Sequence, residues 1–164
     1  MSIFSVALVI SAFLCALVAG FLFAYAIVVM PGIKNLEDAQ FVRTFQVTDR
    51  VIQNNHPAFL CVWVGSAISI MVCAVAGFAT LQGMDLLLLI LAVAAYLAGV
   101  QVLTIVVHLP LNNKLQAYNI EAMSSKELYD ARADFESRWN RSNQIRTSIA
   151  CIVSLLLIVL AFRQ

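Results

Sequence analysis

The stretch LLLLILAVAAYLAGVQVLTIVV (86–107) runs without a charged residue into HLPLNNK (108–114), and the reading of this junction decides the fold. A helix crosses a bilayer with about 20 predominantly apolar residues, because in lipid every backbone N–H and C=O must be bonded internally. The run meets that length. After it come a histidine, a proline and two side-chain amides, and then the most charged segment of the chain. The junction reads as the place where a membrane helix leaves the bilayer, built as a cap, a hinge or a reaction site.

Working outward, three further segments have the same character: Ile3–Met30, Ala58–Leu81 and Ile149–Phe162, the last extended by the turn before it. With 62% hydrophobic and 12% charged residues, the composition excludes an ordinary soluble domain. The first run is too long for the apolar region of a signal peptide and has no basic residue ahead of it, so it reads as a retained helix. The expectation is an all-α, membrane-spanning four-helix bundle in a single domain over 1–164, with spans at about 3–30, 58–81, 86–107 and 146–162.

Net charge is +1, but its placement matters more. Every basic residue except Arg163 lies in Pro31–Pro57 (Lys34, Arg43, Arg50) or in His108–Ser148 (Lys114, Lys126, Arg132, Arg138, Arg141, Arg146). Four crossings put both segments on one side. The positive-inside rule makes that side cytoplasmic and leaves both termini outside, as in a bacterial inner-membrane protein. Eight of the nine acidic residues are there too, so the face is mixed. That argues against nucleic acid as a partner and against a strong clamp on anionic lipid.

Cys15, Cys61, Cys73 and Cys151 all lie in or beside apolar runs, without CxxC spacing, and read as small hydrophobes. Ala12, Ala16, Gly20 and Ala24 recur every four residues, as do Gly65, Ser69, Cys73 and Gly77, while Ala95 and Gly99 stand in the third span. Such stripes let helices approach closely, within one chain or between copies in a homo-oligomer. The short connection Gln82–Asp85 makes the second and third spans an antiparallel hairpin.

Between the first two spans, Met30-Pro31-Gly32 reads as a helix end, and Asp38 as the cap of an amphipathic helix to about Asn54. Its apolar arc is Phe41, Phe45, Val47, Thr48, Val51 and Ile52, with Gln46, Asp49 and Gln53 on one flank. Such a helix lies on the membrane surface or lids the bundle. Ser124–Glu127 reads as a capping box. No proline or glycine follows before Phe162, so one helix of about 57 Å, at about 1.5 Å per residue, is expected from Ser125. Leu128, Ala131, Phe135 and Trp139 form its stripe, and continuity puts Arg146 on the same face.

The residues able to carry chemistry are few. His56 and His108, both at ends of spans, can exchange protons near neutrality or act as helix-end residues, and together could share a metal, although no third ligand stands at helical spacing. Asn112 and Asn113 can cap helix-end carbonyls or point inward to stabilise an enolate-like oxygen. Arg146, beside apolar sequence, needs a partner, and Asp49 and Glu136 are the candidates from its face. Alternatively Arg146 with Asn112 and Asn140 forms an anion site, with Trp139 and Phe135 stacking on a flat molecule. Nucleophile motifs, phosphate loops and dinucleotide fingerprints are absent.

GFLFAY (20–25) with VMPG (29–32), FVRTFQ (41–46) with IQN (52–54), PLNNKL (110–115), and WNR (139–141) with IRT (145–147) together resemble the anthrone oxygenase-like family of small four-helix membrane proteins. The resemblance spans nearly the whole chain. It implies a four-helix membrane protein of a largely uncharacterised bacterial family, in which a fungal branch and members of some polyketide pathways act as monooxygenases, oxidoreductases that turn anthrones into anthraquinones with O₂ and no known cofactor. It carries over Gln46, Asn112, Asn113, Trp139, Asn140 and Arg146.

Two hypotheses follow. In the first, a flat phenolic, anthrone-like or quinol-like molecule arrives from the membrane. His108, or else Asp49, takes a proton from it, and Arg146 with the amides holds the anion that meets O₂. Catalysis then rests on His108, Asn112 and Arg146, and binding on Gln46, Asp49, Asn113, Trp139 and Asn140. In the second, the protein is a membrane scaffold or small-molecule binder, and the same polar layer only ties helix ends together. Transport is the weakest reading, since neither repeats nor broken helices are evident.

Overall fold

The computed structural model describes residues 2–164. It contains five helices and, among the described residues, no strand. Helices α1 (Ile3–Ile33), α3 (Pro57–Thr80), α4 (Gly83–Gln116) and α5 (Ser125–Phe162) are each long and apolar enough to cross a membrane, and α2 (Asp38–Gln53) is amphipathic. The chain is an all-α bundle of an integral membrane protein.

α1 packs between α3 and α5, and α4 packs on the other flank of α5. α3 and α4 form the expected antiparallel hairpin, linked only by Leu81 and Gln82, with Gly83 at φ 57° making the turn. Two cores result. One, among the four long helices, includes Leu8, Cys15, Leu22, Ile70, Leu89, Tyr96, Val153 and Leu157. The other, at the polar end, joins Met30, Phe41, Phe45, Leu111, Leu115, Phe135 and Trp139 beneath α2. α2 is thus a lid.

Neither proline ends its helix where the sequence suggests. The chain stays helical through Met30-Pro31 to Ile33 and through Leu109-Pro110 to Gln116. Each proline comes two residues after a π-helical stretch, Tyr25–Val29 and Thr104–His108. A proline in a regular helix lacks its N–H and pushes its ring against the carbonyl four residues back. In the wider turn, Met30 N–H reaches back to Tyr25 O and Leu109 N–H to Thr104 O, so the carbonyl register shifts before the ring arrives. His108 therefore does not cap a terminus but lies buried inside α4.

Two faces also differ from expectation. On α1 the packed face is Phe4, Leu8, Ser11, Cys15, Val18 and Leu22, and of the small-residue stripe Ala12 is buried while Ala16, Gly20 and Ala24 are exposed. The α3 stripe does face inward, with Cys73 and Gly77 buried and Gly65 and Ser69 half-buried, and two glycines mark the closest approaches. A Cβ on Gly77 would lie 2.2 Å from Leu89 Cδ2, and one on Gly99 would lie 2.5 Å from Ile149 Cδ1. On α2, Val47 and Val51 are exposed, and Gln46 and Asp49 are buried with Phe41, Val42 and Phe45. The buried polar pair is satisfied against α4, Gln46 donating to the Leu115 carbonyl and Asp49 accepting from Asn112, which offsets desolvation. Glu37, not Asp38, stands before the first turn of α2, and the Asp38 carboxylate instead meets Arg132 at 3.1 Å.

α5 is one uninterrupted helix, begun by the Ser124–Glu127 capping box. Its buried stripe runs Leu128, Ala131, Phe135, Trp139, Ser142, Asn143, Arg146 and Thr147 into the apolar half. Arg132, held by Glu136 at 2.8 Å on the same helix, clamps the α1–α2 connection by bonding the Leu36 carbonyl at 2.8 Å, with its guanidinium over the Phe41 ring. Cys15, Cys61, Cys73 and Cys151 are all free thiols, Cys61 exposed and Cys15 and Cys73 buried.

Candidate functional site

A cavity of about 400 Å³ lies where the two cores meet, within the range of small-molecule sites. The lid contributes Phe45, Asp49, Ile52 and Gln53, and α3 contributes Phe59, Leu60 and Trp63. α4 contributes Gln101, Thr104, His108 and Asn112, and α5 contributes Trp139 and Arg146. Tyr25 enters from the π-helical turn of α1, and Thr104 and His108 bound the equivalent turn of α4. Pro31 and Pro110 each follow these turns by two residues, so the same wider turn that accommodates the ring also sets where these side chains point.

Asp49 anchors the lid side. It is 2% exposed and accepts from Asn112 Nδ2 at 2.8 Å, Gln116 Nε2 at 3.1 Å and Gln53 Nε2 at 3.2 Å. Trp139 Nε1 donates to Asn112 Oδ1 at 2.9 Å. The Asn112 amide is therefore held at both ends, which sets its orientation and that of the indole. Gln46 Nε2 donates to the carbonyls of Leu115 and Tyr118, at 2.8 and 3.0 Å. The C-terminal carbonyls of α4 are thus capped from the lid rather than by Asn112 or Asn113.

Arg146, 5% exposed, faces the same cavity from α5. Its Nε donates to Asn143 Oδ1 at 3.0 Å and its Nη1 to Thr104 Oγ1 at 3.1 Å, and the guanidinium sits 5.6 Å from the Trp139 ring centroid. Asn143 in turn donates to the Leu22 carbonyl at 3.2 Å, tying the arginine to α1. Neither carboxylate expected as its partner pairs with it. Asp49 is occupied by amides, and Glu136 binds Arg132. Among the described residues no ion pair includes Arg146 or Asp49.

His108 is 1% exposed and packs edge-on against Trp139, ring centroids 5.0 Å apart. Its Nε2 is 3.0 Å from Ser142 Oγ, and its Nδ1 is buried with no partner. When Nε2–H donates to the serine, Nδ1 carries an unengaged lone pair.

The structure thus brings Asp49, His108, Asn112, Trp139 and Arg146 to one cavity. It places the others elsewhere. Gln46 is a buried lid latch, and exposed Asn113 accepts from Gln53 at 3.1 Å. Asn140 lines a separate hollow of about 200 Å³ with Lys34, Glu136, Asn143 and Gln144. Phe135 stacks on Trp139 within the lid core rather than on the cavity wall. His56 is exposed ahead of α3 and does not line the cavity, so no site joins it to His108 there. Among the described residues no three His, Cys, Asp or Glu side chains converge as metal ligands.

Ser142, Asn143, Thr104, Tyr25, Phe59 and Trp63 escape the sequence reading. Ser142, Asn143 and Arg146 follow Trp139 by three, four and seven residues, so extending the α5 stripe past Trp139 would have found the first two. Phe59 and Trp63 are a four-residue aromatic pair that reads, in sequence, only as apolar.

An aromatic cavity with a polar inner end, held among membrane-crossing helices beneath an amphipathic lid, defines a class of integral membrane protein. The family model described as anthrone oxygenase matches residues 50–156, well over half of the chain, and the protein belongs to that family. The chain matches no curated protein and no solved structure.

Proposed function

We propose that the protein is a cofactor-independent oxygenase, a monooxygenase acting on a flat anthrone-like or quinol-like phenol bound in this cavity, with the lid on the cytoplasmic side. One observation carries the reading. Arg146 is a buried cation without a carboxylate, set beside a buried histidine nitrogen that has no hydrogen-bond partner, in an aromatic-lined chamber. A buried charge is costly unless paired, and here the vacant counter-charge is that of the ligand.

On this account His108 Nδ1 takes the acidic C–H proton of the anthrone, and Arg146 stabilises the resulting enolate-type oxyanion. The electron-rich anion combines with O₂ at the carbon that lost the proton, and the peroxide anion so formed takes the proton back from His108 to give a hydroperoxide. The hydroperoxide then loses its remaining C–H proton and hydroxide, leaving a carbonyl. In total a CH₂ group and O₂ become C=O and H₂O, so no external electron donor is required. Asn112, engaged by both Asp49 and Trp139, serves to position the indole and the lid.

Oxygen uptake by the purified protein in lipid nanodiscs, given a hydroxylated anthrone, tests the proposal. Uptake well above that of empty nanodiscs, falling about 100-fold or more in His108→Ala and little in His56→Ala, is expected from the usual size of general-base contributions. Equal loss in both variants, or none in either, contradicts it.

A further inference from the structure

The cavity opens sideways. Of its lining side chains, Leu60, Ile105 and Leu109 are exposed, Ile105 to 59%, and the other exposed one is Asn55 at the turn into α3. Leu60 belongs to α3, and Ile105 and Leu109 to α4. These helices pack together through residues 83–96 of α4, whereas its later residues turn their contacts to α5 and the lid. A cleft is left between α3 and α4 at the level of the cavity. Around it Val64, Val102 and Val106 are exposed, and no charged residue occurs in Pro57–Thr80 or Leu86–Val107. Such a rim is suited to acyl chains rather than to water.

From this mouth inward the wall is continuously aromatic. Trp63 stacks on Phe59 at 5.5 Å, and Phe59 meets Phe21 at 5.4 Å. Phe21 meets Tyr25 at 5.0 Å, and Tyr25 meets Trp139 at 5.7 Å. Arg146 and His108 lie at the inner end, against Trp139. The polarity rises in one direction, from apolar rim to buried cation.

We infer that the α3–α4 cleft is a lateral port through which an aromatic molecule dissolved in the bilayer enters, its ionisable end leading toward Arg146. This rests on the reading of the cavity as an aromatic-anion site and adds the source of the substrate and its orientation. A water-borne phenol would need a polar mouth, whereas here the polar side chains nearest the surface, Asn55 and half-exposed Gln53, lie together at the lid edge and three of the four exposed lining residues are apolar.

The test uses the intact protein in liposomes and dihydroxyanthraquinone, a flat diphenol with no CH₂ left to oxidise, whose binding should quench Trp63 and Trp139, both on the cavity wall. In Leu60→Phe/Ile105→Phe, association and dissociation of the probe should both slow about tenfold while Kd stays the same, since a narrowed port hinders passage in both directions. Val75→Phe, on a distant lipid-facing surface, should exchange like wild type. Should the double variant fail to fold, wild type in liposomes of brominated-chain lipid still decides. Brominated chains should quench the tryptophan emission more than aqueous iodide does, and the reverse order overturns the port. Binding with unchanged exchange rates in the double variant overturns the port alone. Absence of binding to wild type overturns the cavity reading and the port with it.

Discussion

Asp49 and Arg146 line one cavity, 2% and 5% exposed, and neither is in an ion pair. The carboxylate is saturated by three amides, while the guanidinium has only neutral partners. Direct pairing would neutralise both and leave the chamber without a counter-charge to offer. Their separation instead leaves a lid that is latched and a cation that is available.

The arginine prediction follows directly. Arg146→Gln should lower kcat/KM for a phenolic anthrone by about 10²–10³, the size of losing one oxyanion donor. Arg146→Lys should recover only part of this, because the forked donors to Asn143 and Thr104 are lost with the guanidinium. Binding of dihydroxyanthraquinone should weaken in the same order. Full rescue by lysine in both assays would contradict a positioned guanidinium.

The lid prediction concerns Asp49. Asp49→Ala deprives Asn112, Gln116 and Gln53 of their shared acceptor. Hydrogen bonds to charged groups contribute about 1.5–3 kcal/mol, so a loss of at least that size is expected in thermal unfolding. Proteolysis in α2 should quicken as well. Wild-type melting would mean that the amides find other acceptors.

Close packing gives a contrast within one residue type. Gly99→Ala drives a Cβ to 2.5 Å from Ile149 Cδ1 and 3.0 Å from its Cγ2, and should destabilise by about 1–3 kcal/mol. Gly20→Ala meets nothing within 4 Å and should be neutral or slightly stabilising through helix propensity. Equal melting shifts for the two would contradict this packing.

Trp139→Phe separates the ring from its N–H. The phenyl keeps most of the aromatic wall, but Asn112 Oδ1 loses its donor. KM for the anthrone should rise severalfold through the freed amide, with kcat reduced less than in His108→Ala. An unaltered KM would show that the Trp139–Asn112 bond positions nothing.

Much of this was legible in the chain. The spans follow from apolar length, and the continuity of α5 follows from the lack of proline or glycine between Ser125 and Phe162. The burial of Arg146 followed from that continuity. The prolines misled because π-helical turns leave no mark on hydropathy, so Pro31 and Pro110 read as ends when they are accommodated within helices. Four-residue spacing of Ala16, Gly20 and Ala24 shows that a helix could approach, not that one does. Val47 and Val51 looked like the inward face of α2, but a lid over a polar layer buries Gln46 and Asp49 instead. Of the partners of Arg146, Asn143 stands three residues before it on α5 and was within reach of helical periodicity, but Thr104 comes from α4, which one-helix periodicity does not reveal.

The most direct test of the central claim is turnover of a hydroxylated anthrone under oxygen-18 gas by protein stripped of metals with chelator, in nanodiscs, followed by mass spectrometry of the quinone. The account predicts one labelled oxygen per quinone, formed at the rate of untreated protein and lost in His108→Ala and Arg146→Gln. Conversion no faster than in empty nanodiscs, or activity that disappears with the metals and returns with them, would contradict it.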